Sequence, residues 1–208
     1  MLNKFLKVSG RILPSFNHFL FYNSISSAIC GIETIISSHS MLKASGVGNE
    51  EVLAVLINLS CKDIAGQIFS IPIINRFSKI GDSNPKKYLA ISTAIFEISN
   101  IIEHLTPLVS SFYFIPLAAL ANIGKNVSFT GTGGFNSNMI NKLSIDKDNI
   151  SEIYSKVTSI STISFSFGMI LGLCIVKIIP CFYARLSLLP ILGITRYYFS
   201  IKSIKHLN

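Results

Sequence analysis

The sequence predicts an all-α protein, a multi-helix membrane-embedded bundle with kinked or broken helices, and three observations lead there. Apolar stretches of helix length recur without charge, and no period-two alternation is sustained between hairpin turns. Half of the 208 residues are hydrophobic, only 13% are charged and the mean hydropathy is +0.54, which leaves few charges to solvate an ordinary soluble surface. Prolines and glycines punctuate the apolar stretches.

The elements follow in order. Ile12 to Ile32 carries no formal charge, but Pro14, Asn17, His18 and Asn23 make it only moderately apolar, so an extended lead with a helix from about Ser24 is expected. A second helix is expected from Asn49 or Glu50 through Gln67 toward Ser70, where Pro72 disturbs it. Gly81 to Lys87 is turn chemistry, with Pro85 suited to the first turn of the next helix, which runs from Lys87 to about Leu105. Thr106 and Pro107 break that helix, and Leu108 to Gly124 folds back as a tight helical hairpin, Pro116 marking a kink or a late start. Lys125 to Asp148 is polar and glycine-rich and reads as a loop or broken helix. Val157 to Val176 gives 20 consecutive residues without a formal charge, enough to cross roughly 30 Å of hydrocarbon. Lys177 and Pro180 end this span, and Phe182 to Ser200 either crosses or lies along the bilayer.

Net charge is +8, yet the bases are scattered or terminal rather than gathered in a stripe with aromatics, so nucleic acid is not expected as a partner. Lys4, Lys7 and Arg11 precede the first apolar run, and Arg196, Lys202 and Lys205 follow the last. Such ends suit an anionic lipid surface, with both termini cytosolic and an even number of spans in an intracellular organelle membrane. A cleaved secretory signal is not expected. Cys30, Cys61, Cys174 and Cys181 form no CxxC pair and read as buried reduced thiols. The whole chain, 1–208, is expected to form one helical membrane domain with a basic tail over 196–208.

Three polar groups stand out. Asn58, Lys62, Gly66 and Ser70 recur every four residues, flanked by Asp63 and Gln67, giving a polar stripe that is either turned inward or solvated at a boundary. Glu97, Asn100 and His104 share one side of the next helix, while Glu103 is rotated away from Glu97 by about a third of a turn. This track could hold a proton or cation against Lys62, or form a buried hydrogen-bond network. Asn122, Lys125 and Asn126 precede Thr130, Gly131, Thr132, Gly133 and Gly134, where free amides beside a lysine suit an anion and a flexible connector would look the same. Ser164, Gly168 and Gly172 form a small-residue ridge for close helix packing, within the chain or between chains. No histidine spacing of a metal site and no GxSxG elbow occurs, so no catalytic or metal-ligating residue is assigned.

Taken in order, several segments resemble the root UVB sensitive (RUS) family of membrane-associated eukaryotic proteins. They are PSF at Pro14, SMLKASGVGNEE at Ser40, CKDIAGQIFS at Cys61, RFSKIGDSNPKKY at Arg76, EHLTPL at Glu103, FIPLAALANIGKNVSFTGTGG at Phe114 and NISEIYSKVTS at Asn149. The resemblance covers a core of about residues 12–180. The chain departs from the pattern in lacking the tryptophan before the KD block, in reading YLAISTAIFE where the family has an arginine-and-aspartate helix, and in ending on a short basic tail. The resemblance implies links to vitamin B6 homeostasis, ultraviolet-B responses and auxin transport, and association with another family member or a second copy, without an established reaction.

The expected function is therefore non-enzymatic: binding of a small polar ligand or partner protein by an intramembrane cluster of Lys62, Asp63, Gln67, Glu97, Asn100, Asn122, Lys125, Asn126, Thr132 and Gly133. A secondary transporter with discontinuous helices is one alternative. A phosphate- or pyridoxal-phosphate-binding enzyme using Lys125 is the other, the vitamin B6 link coming from the resemblance.

Overall fold

Helices account for all the regular structure in the computed structural model, which describes residues 15–45, 60, 63–74, 77, 84–143 and 150–205. The long helices are α1 (Ser15–Ala44), α3 (Pro85–Leu105), α4 (Ser111–Leu143), α5 (Ile150–Ile178) and α6 (Phe182–Ile204). A shorter apolar helix, α2 (Asp63–Ile74), precedes α3.

α1 is the hub. It packs along α5 and α6, and α3 forms the expected hairpin with α4 through a 3-10 turn at Thr106–Leu108. α1 and α6 also touch α3, whereas α4 meets α5 only lightly. The start of α3 follows from local chemistry: Asn84 Oδ1 accepts the Lys87 amide at 3.0 Å, and Pro85 occupies the first turn. Close approach of α1 and α5 depends on small residues. A methyl group added at Gly168 would collide with the Ala28 carbonyl, and one at Gly31 with the Phe165 carbonyl. The Gly168–Gly172 ridge thus faces α1, with Ser164 half-buried beside it.

Several expectations are corrected. α1 begins at Ser15 rather than near Ser24, because Phe16, Phe19 and Leu20 seat one helical face in a core with Tyr88, Phe135, Ile140 and Ile153. The described part of the second helix runs through Pro72 to Ile74. α4 begins at Ser111, runs through Pro116 and continues across the glycine-rich segment to Leu143, so the expected break does not form. Three glycines cost a helix roughly 1 kcal/mol each relative to alanine, but buried Phe135, Met139 and Ile140 hold the far half of α4 in the core. Residues 196–204 are helical, so the basic tail is largely the end of α6. Cys30 is a buried free thiol as expected, but Cys174 and Cys181 are exposed, on the outward side of α5 and ahead of α6; Cys61 lies outside the described residues.

Two helices among the described residues, α1 and α5, are long and apolar enough to cross a membrane. α5 leaves Ile163 68% exposed, and α6 leaves Ile194 72% exposed.

Candidate functional site

Polar side chains fill the seam between α1 and α3. On α1, Glu33, Ser37 and Ser40 fall at i, i+4 and i+7 and are all buried. On α3, Glu97, Asn100, Glu103 and His104 meet them in three layers.

In the first layer Arg196 of α6 reaches between two acids. Its Nε lies 3.1 Å from Glu33 Oε2, and its Nη2 donates to Glu97 Oε1 at 3.0 Å. The guanidinium also sits 4.3 Å from the centre of the fully buried Phe96 ring. Gly193, one turn before Arg196, makes room for this layer, since a methyl there would collide with the Glu97 carboxyl.

In the second layer Lys125 of α4 forms a buried ion pair with Glu103 and donates to Ser37 Oγ at 3.0 Å. The Ser37 hydroxyl lies 2.7 Å from Glu103 Oε2 and 3.1 Å from Asn100 Oδ1. It has one proton to give, and the carboxylate is the stronger acceptor. The third layer holds His104, whose Nε2 lies 3.2 Å from the Phe182 carbonyl and whose Nδ1 lies 2.8 Å from Ser40 Oγ. A ring carrying its proton on Nε2 satisfies both contacts.

Beside the first layer lies a cavity of about 350 Å³, between α4 and α5, with α1, α3 and α6 behind it. Much of its wall surface is apolar, and many hydroxyl and amide side chains converge on it: Asn23, Ser26 and Ser27 of α1, Ser92 and Thr93 of α3, Ser128, Thr132 and Asn136 of α4, and Thr158, Ser161 and Thr162 of α5. Phe129, Phe135, Tyr154 and Phe165 add aromatic surface, and Arg196 is the one formally charged side chain among the described walls. Ser92 and Ser128 fasten α3 to α4 there, with hydroxyls 3.0 Å apart.

The expected cluster is therefore divided. Asn100 and Lys125 are buried and Glu97 is half-buried in the seam, with Glu97 on Arg196 and Lys125 on Glu103. Asp63 is exposed and accepts from Asn122 at 3.1 Å at the α2 edge, and Gln67 is exposed. Asn126 is half-buried, Thr132 lines the cavity, Gly133 lies within α4, and Lys62 lies outside the described residues. The glycine segment offers no loop of free amides, because a helix engages them in its own ladder. Lys125 is not among the cavity walls. Glu97 and His104 lie in different layers, Glu97 on Arg196 and His104 on the Phe182 carbonyl.

Sequence reasoning missed Glu33, Glu103, Arg196 and most cavity hydroxyls as members of the site. The signal was present in Ser24 to Ser27 and Thr158 to Thr162, hydroxyl-rich turns inside apolar helices.

Residues 11–208 match the family described as the vitamin B6 photo-protection and homoeostasis domain. The chain is 26% identical over 157 residues to RUS family member 1 of Dictyostelium discoideum, covering 74% of this chain and 30% of that protein. It is 26% identical over 144 residues to Protein root UVB sensitive 4 of Arabidopsis thaliana, covering 66% of this chain and 26% of that protein. The matches thus span less than a third of either relative, and no solved structure matches the chain. With its family match running from residue 11 to residue 208, the chain belongs to the root UVB sensitive family.

Proposed function

We propose that this chain is a membrane-embedded helical protein that binds one small polar molecule in the hydroxyl-lined cavity. The observation carrying the reading is the cavity itself: about 350 Å³, with largely apolar walls on which many hydroxyls and amides and one guanidinium converge, inside a bundle whose outward faces are apolar. That volume is within the range of small-molecule sites, and convergent polar groups fix orientation there.

Support for the bilayer comes from an inverted distribution. Glu33, Asn100, Glu103, Lys125 and Arg196 are buried, whereas Ile64, Ile68 and Phe69 of α2, Ile163, Phe167 and Ile170 of α5, and Ile191 and Ile194 of α6 are exposed. In water this arrangement exposes apolar surface and hides ions; in lipid each group has its suitable surroundings.

The ligand class is a compact, hydroxyl-bearing ring compound, for which the cavity supplies both aromatic walls and hydrogen-bonding groups. Vitamin B6 vitamers are the first to test, on the strength of the family description. A transporter is the second reading, favoured by the light contact between α4 and α5 at the cavity, where one block of helices can move against the other.

Native mass spectrometry of gently extracted protein should detect one small polar molecule per chain, and equilibrium dialysis should show pyridoxine binding. Ser161→Phe, which fills the cavity, should weaken that binding by about tenfold or more while the helical circular dichroism is retained. An empty cavity with no pyridoxine binding contradicts the reading.

A further inference from the structure

Glu33, Glu97 and Arg196 do not balance. Two carboxyls face one guanidinium, with Glu33 Oε2 3.1 Å from Arg196 Nε and Glu97 Oε1 3.0 Å from its Nη2. Glu33 is fully buried; neither of its oxygens receives a hydrogen bond of good geometry, and Glu97 Oε2 also lacks a donor. The remaining ionisable groups that face the pair are Cys30 from α1 and Lys125 from α4, and Lys125 is engaged by Glu103. Arg185, the other buried cation of α6, is eleven residues away from Arg196, roughly 16 Å along the helix. Two carboxyls beside one cation, shielded from water, retain a proton between them rather than a surplus charge.

The pair lies directly behind the cavity wall. Arg196, Cys30 and Thr93 belong to that wall, with Glu33 one turn from Cys30 and Glu97 one turn from Thr93.

We propose that the cavity takes up a small oxyanion together with one proton, the anion meeting Arg196 and the proton going to the Glu33 and Glu97 pair. This rests on the cavity being a ligand site. Without the anion, the site holds one guanidinium, one carboxylate and one carboxylic acid, which sum to zero. An incoming monoanion competes with the carboxylate for Arg196, and the carboxylate it releases takes a proton from water. The charges again sum to zero, so uptake is electroneutral.

Two measurements on the purified full chain test this. The first needs no ligand: infrared difference spectra at neutral pH should show the carbonyl stretch of a protonated carboxyl that shifts on deuteration. Glu97→Gln or Glu33→Gln should remove it, because the remaining acid is ionised against Arg196. A wild-type spectrum without that band overturns the shared proton. The second is calorimetry with 3,4-dihydroxybenzoate, ionised across the neutral range, against its neutral amide. In two buffers of different ionisation enthalpy the acid should bind with uptake of one proton, its affinity rising about tenfold per pH unit lowered. The amide should show neither effect, and Arg196→Gln should abolish binding of the acid. Binding of the acid without proton uptake overturns the proposal and leaves the cavity reading standing. Binding of neither compound overturns the anion site, while pyridoxine binding decides the cavity reading separately and the infrared band decides the shared proton.

Discussion

Two cations approach the ring of Phe96, Arg196 at 4.3 Å and Lys125 at 5.9 Å from its centre, and each is held by an acid. This small assembly ties α1, α3, α4 and α6 together across two adjoining layers. Removing one partner of a buried pair leaves the other charge unpaired, at a cost of about 3–5 kcal/mol. Lys125→Met should therefore lower the thermal midpoint markedly, and Lys125→Met with Glu103→Leu should recover most of the loss, as read by circular dichroism melting. If the double variant melts no higher than the single one, the buried pair is not the source of the loss. The sequence made these partners only partly visible. Glu103 is on a different face of α3 from Glu97, which on an isolated helix looks like the outside; α3 is flanked on both sides, by α1 and by α4, so both faces are interior. Glu33 sits at the end of a stretch notable for having no charge, and nothing local marks Arg196 as its partner across 163 residues.

At the scale of elements, the hairpin and the ends of α3 were legible and the continuity of α4 was not. Pro85 and Asn84 announce the start of α3, and Thr106 with Pro107 announces its end, because capping and proline geometry are local. The glycine run in α4 reads as a loop for an equally local reason, yet α4 stays helical because Ser128 bonds to Ser92 and Phe135 is fixed in the core. Tertiary contacts of that kind leave no local trace. The Gly168 ridge was legible as a packing surface but not as to its partner, which is α1. Gly168→Leu should push α1 and α5 apart, costing about 1–3 kcal/mol or more through overpacking, without altering the oligomeric state by size-exclusion chromatography with light scattering. A loss of stability accompanied by conversion of a dimer to monomers would instead place the ridge at an interface between chains.

The whole molecule combines a buried ionic seam, a hydroxyl-lined cavity and apolar outer faces on α2, α5 and α6. Composition had already indicated the last of these, since 13% charged residues cannot coat a bundle of this length. The cavity was not legible, because its walls come from five helices, and no one stretch of sequence carries more than a few of them. Spin labels read by oxygen and nickel-chelate accessibility in reconstituted vesicles test the arrangement most directly. Labels at Ile163, Phe167 and Ile194 should be open to oxygen and closed to the chelate, while a label at Ser161 should show less oxygen access than its neighbour at Ile163. Chelate access at Ile163, Phe167 and Ile194 equal to that of a soluble surface would place those faces in water and contradict the account.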